Sequence, residues 1–285
     1  MMKAFILKIW GVAIGLFLSI GLYSQDTAGQ DKWIGHVYDG TSLSSWNYVG
    51  YYEESETFSE SFGGNNKWLS CTSLSGSSTG TYTERFSVRY RMQSSKVGCY
   101  RVNLRGDDGI RLKVDGRLVF SRWVPQSATS YNNLLINLSG SSNLIYEFFE
   151  NNGKNVVAFT SLVKLNRITS ANEITQCPIS NIQTEITANF LSDATSSIST
   201  TYIWQYREGA GNWKDVTAYN TETRCKISDI YNDTYSQKIF YFRRRVNYSQ
   251  SARWGVGSKN YIDESAVVKV IVPALVKTNP MVSVK

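Results

Sequence analysis

The sequence predicts an all-β protein built as two consecutive antiparallel β-sandwiches. Three observations carry this: apolar and polar residues alternate with a period of two in run after run; clusters of Gly, Ser and Asn separate the runs; and 18 Tyr, 12 Phe and 8 Trp stand against only 4 Pro, with little helical periodicity.

The chain opens with Lys3 and Lys8, an apolar run from Ile9 to Leu22, and Tyr23-Ser24-Gln25. This is the layout of a secretory signal peptide over residues 1–24, with the mature chain starting near Gln25. The run is shorter than the roughly 20 apolar residues of a membrane-spanning helix. No second run of that length follows, so no stable membrane insertion is expected of the exported protein. No cysteine stands near the cleavage point to carry a lipid.

Without Lys3 and Lys8, 28 basic residues face 23 acidic ones, a net charge of +5. Most of the basic side chains alternate with core positions along strands and read as solvated outer faces. They do not read as the concentrated basic surface of a nucleic-acid binder. The four cysteines fall two in each half, and an oxidising compartment permits disulfides. Of the three possible connectivities, Cys71–Cys99 with Cys177–Cys225 keeps each bridge inside one sandwich. No spacing matches a zinc site.

The first sandwich is expected over residues 33–166. Phe86, Val88, Tyr90 and Met92 point inward, while Arg85, Ser87, Arg89 and Arg91 point outward. Ser70 to Thr81, rich in Ser, Thr and Gly, reads as a loop. Tyr100, Val102 and Leu104 share one strand face, as do Ile110, Leu112 and Val114, and Asp115-Gly116 suits a type I′ hairpin turn. Leu134, Ile136 and Leu138 alternate; Ser139-Gly140-Ser141-Ser142 turns the chain; and Leu144, Tyr146 and Phe148 resume, as in an antiparallel meander. Glu147 then projects opposite Tyr146 and Phe148, toward solvent or an arginine.

Arg167 to Gln176 is polar and reads as a short linker. The second sandwich is expected over residues 177–273, with Tyr202 to Tyr206, Trp213 to Val216, Ile239 to Val246 and Ala266 to Val272 as strands of an immunoglobulin-type unit. Trp204 is its expected core tryptophan, and Arg243-Arg244-Arg245 reads as a strand with charged ends, the alternative being a polyanion site. Residues 274–285 read as a tail or linker.

Gly106-Asp107-Asp108-Gly109 remains unexplained by alternation. Two adjacent carboxylates repel each other unless a cation or several backbone amides compensate them. Calcium suits such a site because it takes carboxylate and carbonyl oxygens in an irregular cage. The simpler alternative is a solvated glycine turn.

Several motifs together resemble the protective-antigen-like β-sandwich domain of bacterial toxins, glycosidases and fungal flocculins and adhesins. These are Trp33-Ile34-Gly35-His36-Val37-Tyr38 with Gly50-Tyr51-Tyr52, Arg85-Phe86 to Tyr90, Gly98-Cys99-Tyr100 leading to Asp107-Asp108-Gly109 and on to Gly116, Trp123, and Leu144 to Asn151. Trp204-Gln205-Tyr206, Trp213 and Tyr241 to Val246 more loosely resemble the immunoglobulin-like repeats of surface adhesins from gliding diderm bacteria. In sugar-binding members of the first family, two aspartates joined by a cis peptide and a later asparagine hold a calcium ion that coordinates sugar hydroxyls. The resemblance places Asp107 and Asp108 in the acidic pair and Asn151 as the asparagine. Gly109 directly after the pair matches the bacterial branch. Trp123, Trp46 and Trp68 lie in or beside turn-rich segments and could offer rings for sugar stacking.

Catalysis finds little support, and the chain is expected not to be an enzyme. His36 is the sole histidine and sits in a strand-like run. Gly76-Ser77-Ser78-Thr79-Gly80 matches the letters of a nucleophile elbow but lacks the strand-to-helix setting. Glu53, Glu54, Glu56, Glu60, Glu147 and Glu150 supply carboxylates, and no spacing singles out a glycosidase pair. The expected function is therefore calcium-assisted carbohydrate recognition by an exported adhesion protein at the cell surface or outside the cell, with a glycan or cell-surface partner. The alternative is a structural or assembly module of a surface or secretion machine, joined to other proteins of that machine and without sugar binding.

Overall fold

The computed structural model describes residues 24–64, 66–176, 185–189, 191, 198–217, 220–227, 234 and 236–274. The signal peptide up to residue 23, Cys177 and the tail beyond Ala274 lie outside the described residues. The protein is all-β, with one 3-10 turn at Ser45–Asn47 and no α-helix among the described residues.

Thirteen strands precede residue 165: β1 (Gly29–Gln30), β2 (Trp33–Asp39), β3 (Tyr48–Glu54), β4 (Phe58–Ser61), β5 (Trp68–Thr72), β6 (Ser78–Tyr82), β7 (Phe86–Ser94), β8 (Val97–Asp107), β9 (Gly109–Val114), β10 (Arg117–Arg122), β11 (Thr129–Ser139), β12 (Ser142–Glu150) and β13 (Val156–Lys164). They form two sheets, ordered β10-β9-β12-β7-β2-β3-β5-β6, with β1 beside β7, and β11-β8-β13-β4. Trp33 is fully buried between them, its ring 5.1 Å from Phe159 and 6.3 Å from Phe58. Its indole N–H donates to the Glu56 carbonyl at 2.9 Å, so the ring is buried without stranding its donor.

Two local expectations change. The connection from Ser139 to Ser142 does not close a meander, because β11 and β12 belong to different sheets. Alternation reports which face is buried and is silent on whether the next strand lies beside or across. Likewise Ser70 to Thr81 is no simple loop: β5 and β6 pair from Trp68↔Tyr82 to Thr72↔Ser78 and form the sheet edge. An edge strand packs less apolar surface than a central one, so Ser, Thr and Gly suffice there. The Asp115-Gly116 turn forms as expected, with φ of 49° and 76°.

The remaining strands are β14 (Glu173–Thr175), β15 (Glu185–Thr187), β16 (Ile198–Glu208), β17 (Lys214–Asp215), β18 (Arg224–Lys226), β19 (Lys238–Gln250), β20 (Lys259–Glu264) and β21 (Val268–Val272). One sheet runs β14-β21-β19-β16-β17 with β20 also on β19, and β15 pairs with β18 opposite. Residues expected as linker thus contribute β14, parallel to β21. Trp204 is fully buried in this core and donates to the Thr221 carbonyl at 2.8 Å.

Arg244 overturns the reading of a strand with merely charged ends. It is fully buried, and its guanidinium donates to Asn166 Oδ1 (2.9 Å), the Asn189 carbonyl and Oδ1 (2.7 and 2.8 Å) and the Glu222 carbonyl (2.7 Å). Arg244 shares the parity of Phe242 and Val246 along β19, and that parity sends it inward. Cys71, Cys99 and Cys225 are free and buried, so the Cys71–Cys99 bridge does not form and Cys225 keeps its thiol. Cys71 lies on β5 with its sulfur against Gly50, whereas Cys99 on β8 belongs to the cluster with Leu135 and Val246, so the two thiols sit in different parts of the core.

A third cluster of Cys99, Leu135, Leu165, Leu191, Ile198, Val246 and Tyr248 joins the two sets of sheets. Polar contacts cross the same junction. Gln250 accepts from the Leu135 amide (3.2 Å) and donates to the Asn133 carbonyl (2.9 Å), and the Lys259 ammonium donates to the Val119 carbonyl (2.7 Å). Asp263 lies over Gly98 and accepts the Cys99 amide.

Burial raises the Asp263 pKa from 3.8 to about 6, opposed by the Cys99 amide, Lys164 and Arg244 and aided by Glu264. A carboxyl with a raised folded pKa binds its proton more tightly in the folded chain. Its stabilisation is therefore complete below pH 3.8 and is lost as the pH rises through 6. Thermal unfolding followed from pH 3.5 to 7 should show this loss, on the order of 3 kcal/mol. Asp263→Asn should flatten that part of the profile and raise the melting temperature at pH 7.

Candidate functional site at the Asp107–Asp108 corner

The acidic pair occupies the corner where the chain leaves β8 in one sheet and enters β9 in the other. The peptide between Asp107 and Asp108 is cis. The flanking glycines answer to space: a Cβ on Gly106 would overlap the Ile110 side chain, and one on Gly109 would overlap the Phe149 ring.

Both aspartates are nearly buried, at 8% and 7% exposure. The Asp108 carboxylate accepts the Gln126 amide at 2.9 Å and the Asn151 amide at 2.8 Å, and the Gln126 side chain donates back to the Asp108 carbonyl at 2.9 Å. Gln126 is itself held by the Tyr131 hydroxyl. Asp107 accepts the Ala128 amide, with Arg105 and Lys154 nearby; burial and then Asp108 still raise its pKa. Asn151 thus meets the corner through its backbone amide. The loop behind it is fixed by Asn155, which accepts the Gly64 amide (3.1 Å) and donates to the Thr83 carbonyl (2.8 Å).

Glu150 completes the cluster. It is fully buried, and neither carboxylate oxygen has a hydrogen-bond partner. Burial first, then Asp108 and Asp107, lift its pKa to about 8. The backbone amides of Asp108 and Asn152 point toward it and favour its charged form. The sequence reading counted Glu150 only among possible glycosidase carboxylates. Its parity gives it away, since it continues the inward series Tyr146, Phe148, Glu150 on β12. Among the described residues, no three His, Cys, Asp or Glu side chains converge as a metal cage by themselves. A cation here therefore has to draw on amide or carbonyl oxygens as well, which calcium accepts.

Trp123 stands beside this corner. It leads into the loop that supplies Gln126, meets Phe149 edge-on at 4.7 Å, and has the Arg111 guanidinium 4.2 Å from its ring. Trp68 is 56% exposed and meets Tyr82 edge-on at 5.2 Å. The neighbouring Thr83 is tied to the 151–155 loop through Asn155. Trp46 is 92% exposed in the connection between β2 and β3. Trp123 is thus placed at the acidic corner, Trp68 one loop away, and Trp46 on a separate loop.

Elsewhere, Glu147 is buried and neutralised by Arg89, Arg111 and Lys113. His36 is buried, its ring nitrogens facing the Thr27 carbonyl (2.8 Å) and the Tyr48 hydroxyl (3.3 Å), and burial lowers its pKa. Ser78 of the Gly-x-Ser-x-Gly match begins an edge strand. Glu54 and Glu60 hydrogen-bond to each other, too close to flank a sugar as an acid–base pair.

No protein-family model and no curated protein matches the chain. Among solved structures, the PA14 domain of MpAFP antifreeze protein is 16% identical over 49% of this chain and 93% of its own, with a TM-score of 0.32. A PA14 sugar-binding domain from an RTX adhesin is 16% identical over 45% and 88%, at 0.30. An anti-sigma factor domain-containing protein is 13% identical over 83% and 97%, at 0.34. These likenesses are too remote to carry the functional argument.

Gly109→Ala should displace the Phe149 ring and loosen the corner. The expected loss is about 1–3 kcal/mol of unfolding free energy, read by urea denaturation, with Gly257→Ala, which has open space around it and no positive φ, as the comparison.

Proposed function

We propose that this chain is an exported binding protein of the cell surface whose first sandwich recognises carbohydrate with the help of calcium at the Asp107–Asp108 corner. The observation that carries the reading is Glu150, a fully buried carboxyl set behind two aspartates in one loop cluster, its pKa lifted to about 8 so that it holds a proton at neutral pH. Three carboxyl groups placed so close are charged together only when a cation compensates them. Asp107 and Asp108 would supply carboxylate oxygens and Asn151 a side-chain oxygen, while Gln126 and Asn151 orient the Asp108 carboxylate through their amides. Calcium held there by these oxygens would offer its remaining coordination positions to sugar hydroxyls. Trp123 presents its ring at the rim, with Trp68 and Trp46 as outlying contacts for a longer glycan.

Calorimetric titration of the signal-free chain with calcium tests this. Saturable binding that Asp107→Asn/Asp108→Asn abolishes supports the site and directs a glycan screen in calcium. Heats no larger than dilution at millimolar calcium reject it, and favour the reading as a structural module, for which the polar and apolar junction between the two sets of sheets already supplies rigidity.

A further inference from the structure

The outer face of the β16-β19-β20 sheet carries a second set of groups that the acidic corner does not use. Strand register arranges that face in rows: Arg207 with Tyr241, Gln205 with Arg243, Ile203 with Arg245 and Glu264, Thr201 with Asn247 and Ile262, and Ser199 with Ser249 and Asn260. At about 3.4 Å per residue the five rows span roughly 27 Å.

One end is cationic. Arg243 and Arg245 are two apart on one strand and Arg207 is diagonal to Arg243, so three guanidiniums share one patch. Arg243 is held in place: it donates to Gln205 at 3.0 Å, which in turn donates to Asp215 at 2.9 Å, and it pairs with Glu264. Its guanidinium stacks 4.1 Å from the Trp213 ring, and that of Arg207 lies 4.9 Å from the same ring and 5.2 Å from Tyr241. Arg207 and Arg245 have no ion pair among the described residues, and the Nε of each is buried without a hydrogen-bond partner. Burial, with Arg245 and Arg207 besides, holds the Arg243 pKa below its ordinary value against Glu264. The other end is neutral. A depression of about 400 Å³ lies there, its lining including Ser199, Thr201, Asn247, Ser249, Asn260 and Ile262, one row from Arg245.

We propose that this face is a second, metal-independent binding site for an acidic polysaccharide, with Arg207, Arg243 and Arg245 taking its carboxylate or sulfate groups and the neighbouring depression its uncharged hydroxyls. Guanidinium forks suit such planar or tetrahedral oxyanions. Hydroxyl and carboxamide side chains suit sugar hydroxyls. Single-stranded nucleic acid is disfavoured because it stacks its bases on free aromatic faces, and the Trp213 and Tyr241 rings already carry guanidiniums.

The test is binding of the full signal-free chain to immobilised alginate, dextran sulfate and plain dextran, all in chelator so that the calcium site cannot contribute. Retention on alginate assigns carboxylates, retention on dextran sulfate assigns sulfate esters, and plain dextran should retain nothing. Arg207→Gln/Arg245→Gln should weaken binding about tenfold, and Asn247→Ala/Asn260→Ala, at exposed positions that do not threaten folding, should weaken it as well. Arg85→Gln/Arg122→Gln, which removes equal charge from exposed positions of the first sandwich, should leave it unchanged. The proposal is overturned if the charge-matched control loses as much, if plain dextran binds equally, if neither site variant changes retention, if retention vanishes in chelator, or if duplex DNA binds more tightly through the same arginines.

Discussion

The Asp108 carboxylate accepts backbone amides from Gln126 and Asn151, and these two hydrogen bonds fix one corner of the first sandwich. Hydrogen bonds to a charged group contribute about 1.5–3 kcal/mol each. Here they join three stretches of chain distant in sequence: the corner between β8 and β9, the segment from Trp123 to Gln126, and the loop after β12. Trp123 is positioned because Gln126 is, and the 151–155 loop closes over the corner because Asn155 is anchored to Gly64 and Thr83. The arrangement leaves Glu150 buried with unused lone pairs, a feature that packing alone does not account for.

The second set of sheets is organised around a cation instead of an anion. Arg244 is satisfied by one carboxamide oxygen from Asn166, another from Asn189, and two main-chain carbonyls, so its charge is spread over dipoles and needs no carboxylate. With Asn166 lying just after β13, this network reaches from the second core to the end of the first. The apolar cluster about Leu135 and Tyr248 and the Lys259 and Gln250 contacts continue it. The acidic corner and the arginine face are therefore carried on one continuous body of packed sheets.

Alternation in the sequence sufficed for β7, β8, β9, β12, β16 and β19, since each buries one face and a period of two records that directly. Asp115-Gly116 was equally legible because few dipeptides accept two positive φ values in succession. Sheet membership was not, for a strand buried on one face alternates identically whether its successor lies beside it or across the core. Arg244 and Glu150 are hidden for a different reason: each occupies an inward parity position while its residue type suggests the solvent face. Inward-facing charge in an otherwise regular strand is the signal that would have found both. The Asp107–Asp108 pair stood out by its break in alternation, whereas the amides that hold it come from Gln126 and Asn151, whose backbone groups leave no trace in side-chain pattern.

Crystals of the signal-free chain grown in calcium, with anomalous differences collected at long wavelength, test the account of the corner most directly. The expected result is a single peak within about 2.3–2.6 Å of oxygens from both Asp107 and Asp108. A map without a peak at that corner, with the Lys154 ammonium seated against Asp107 in its place, would contradict it.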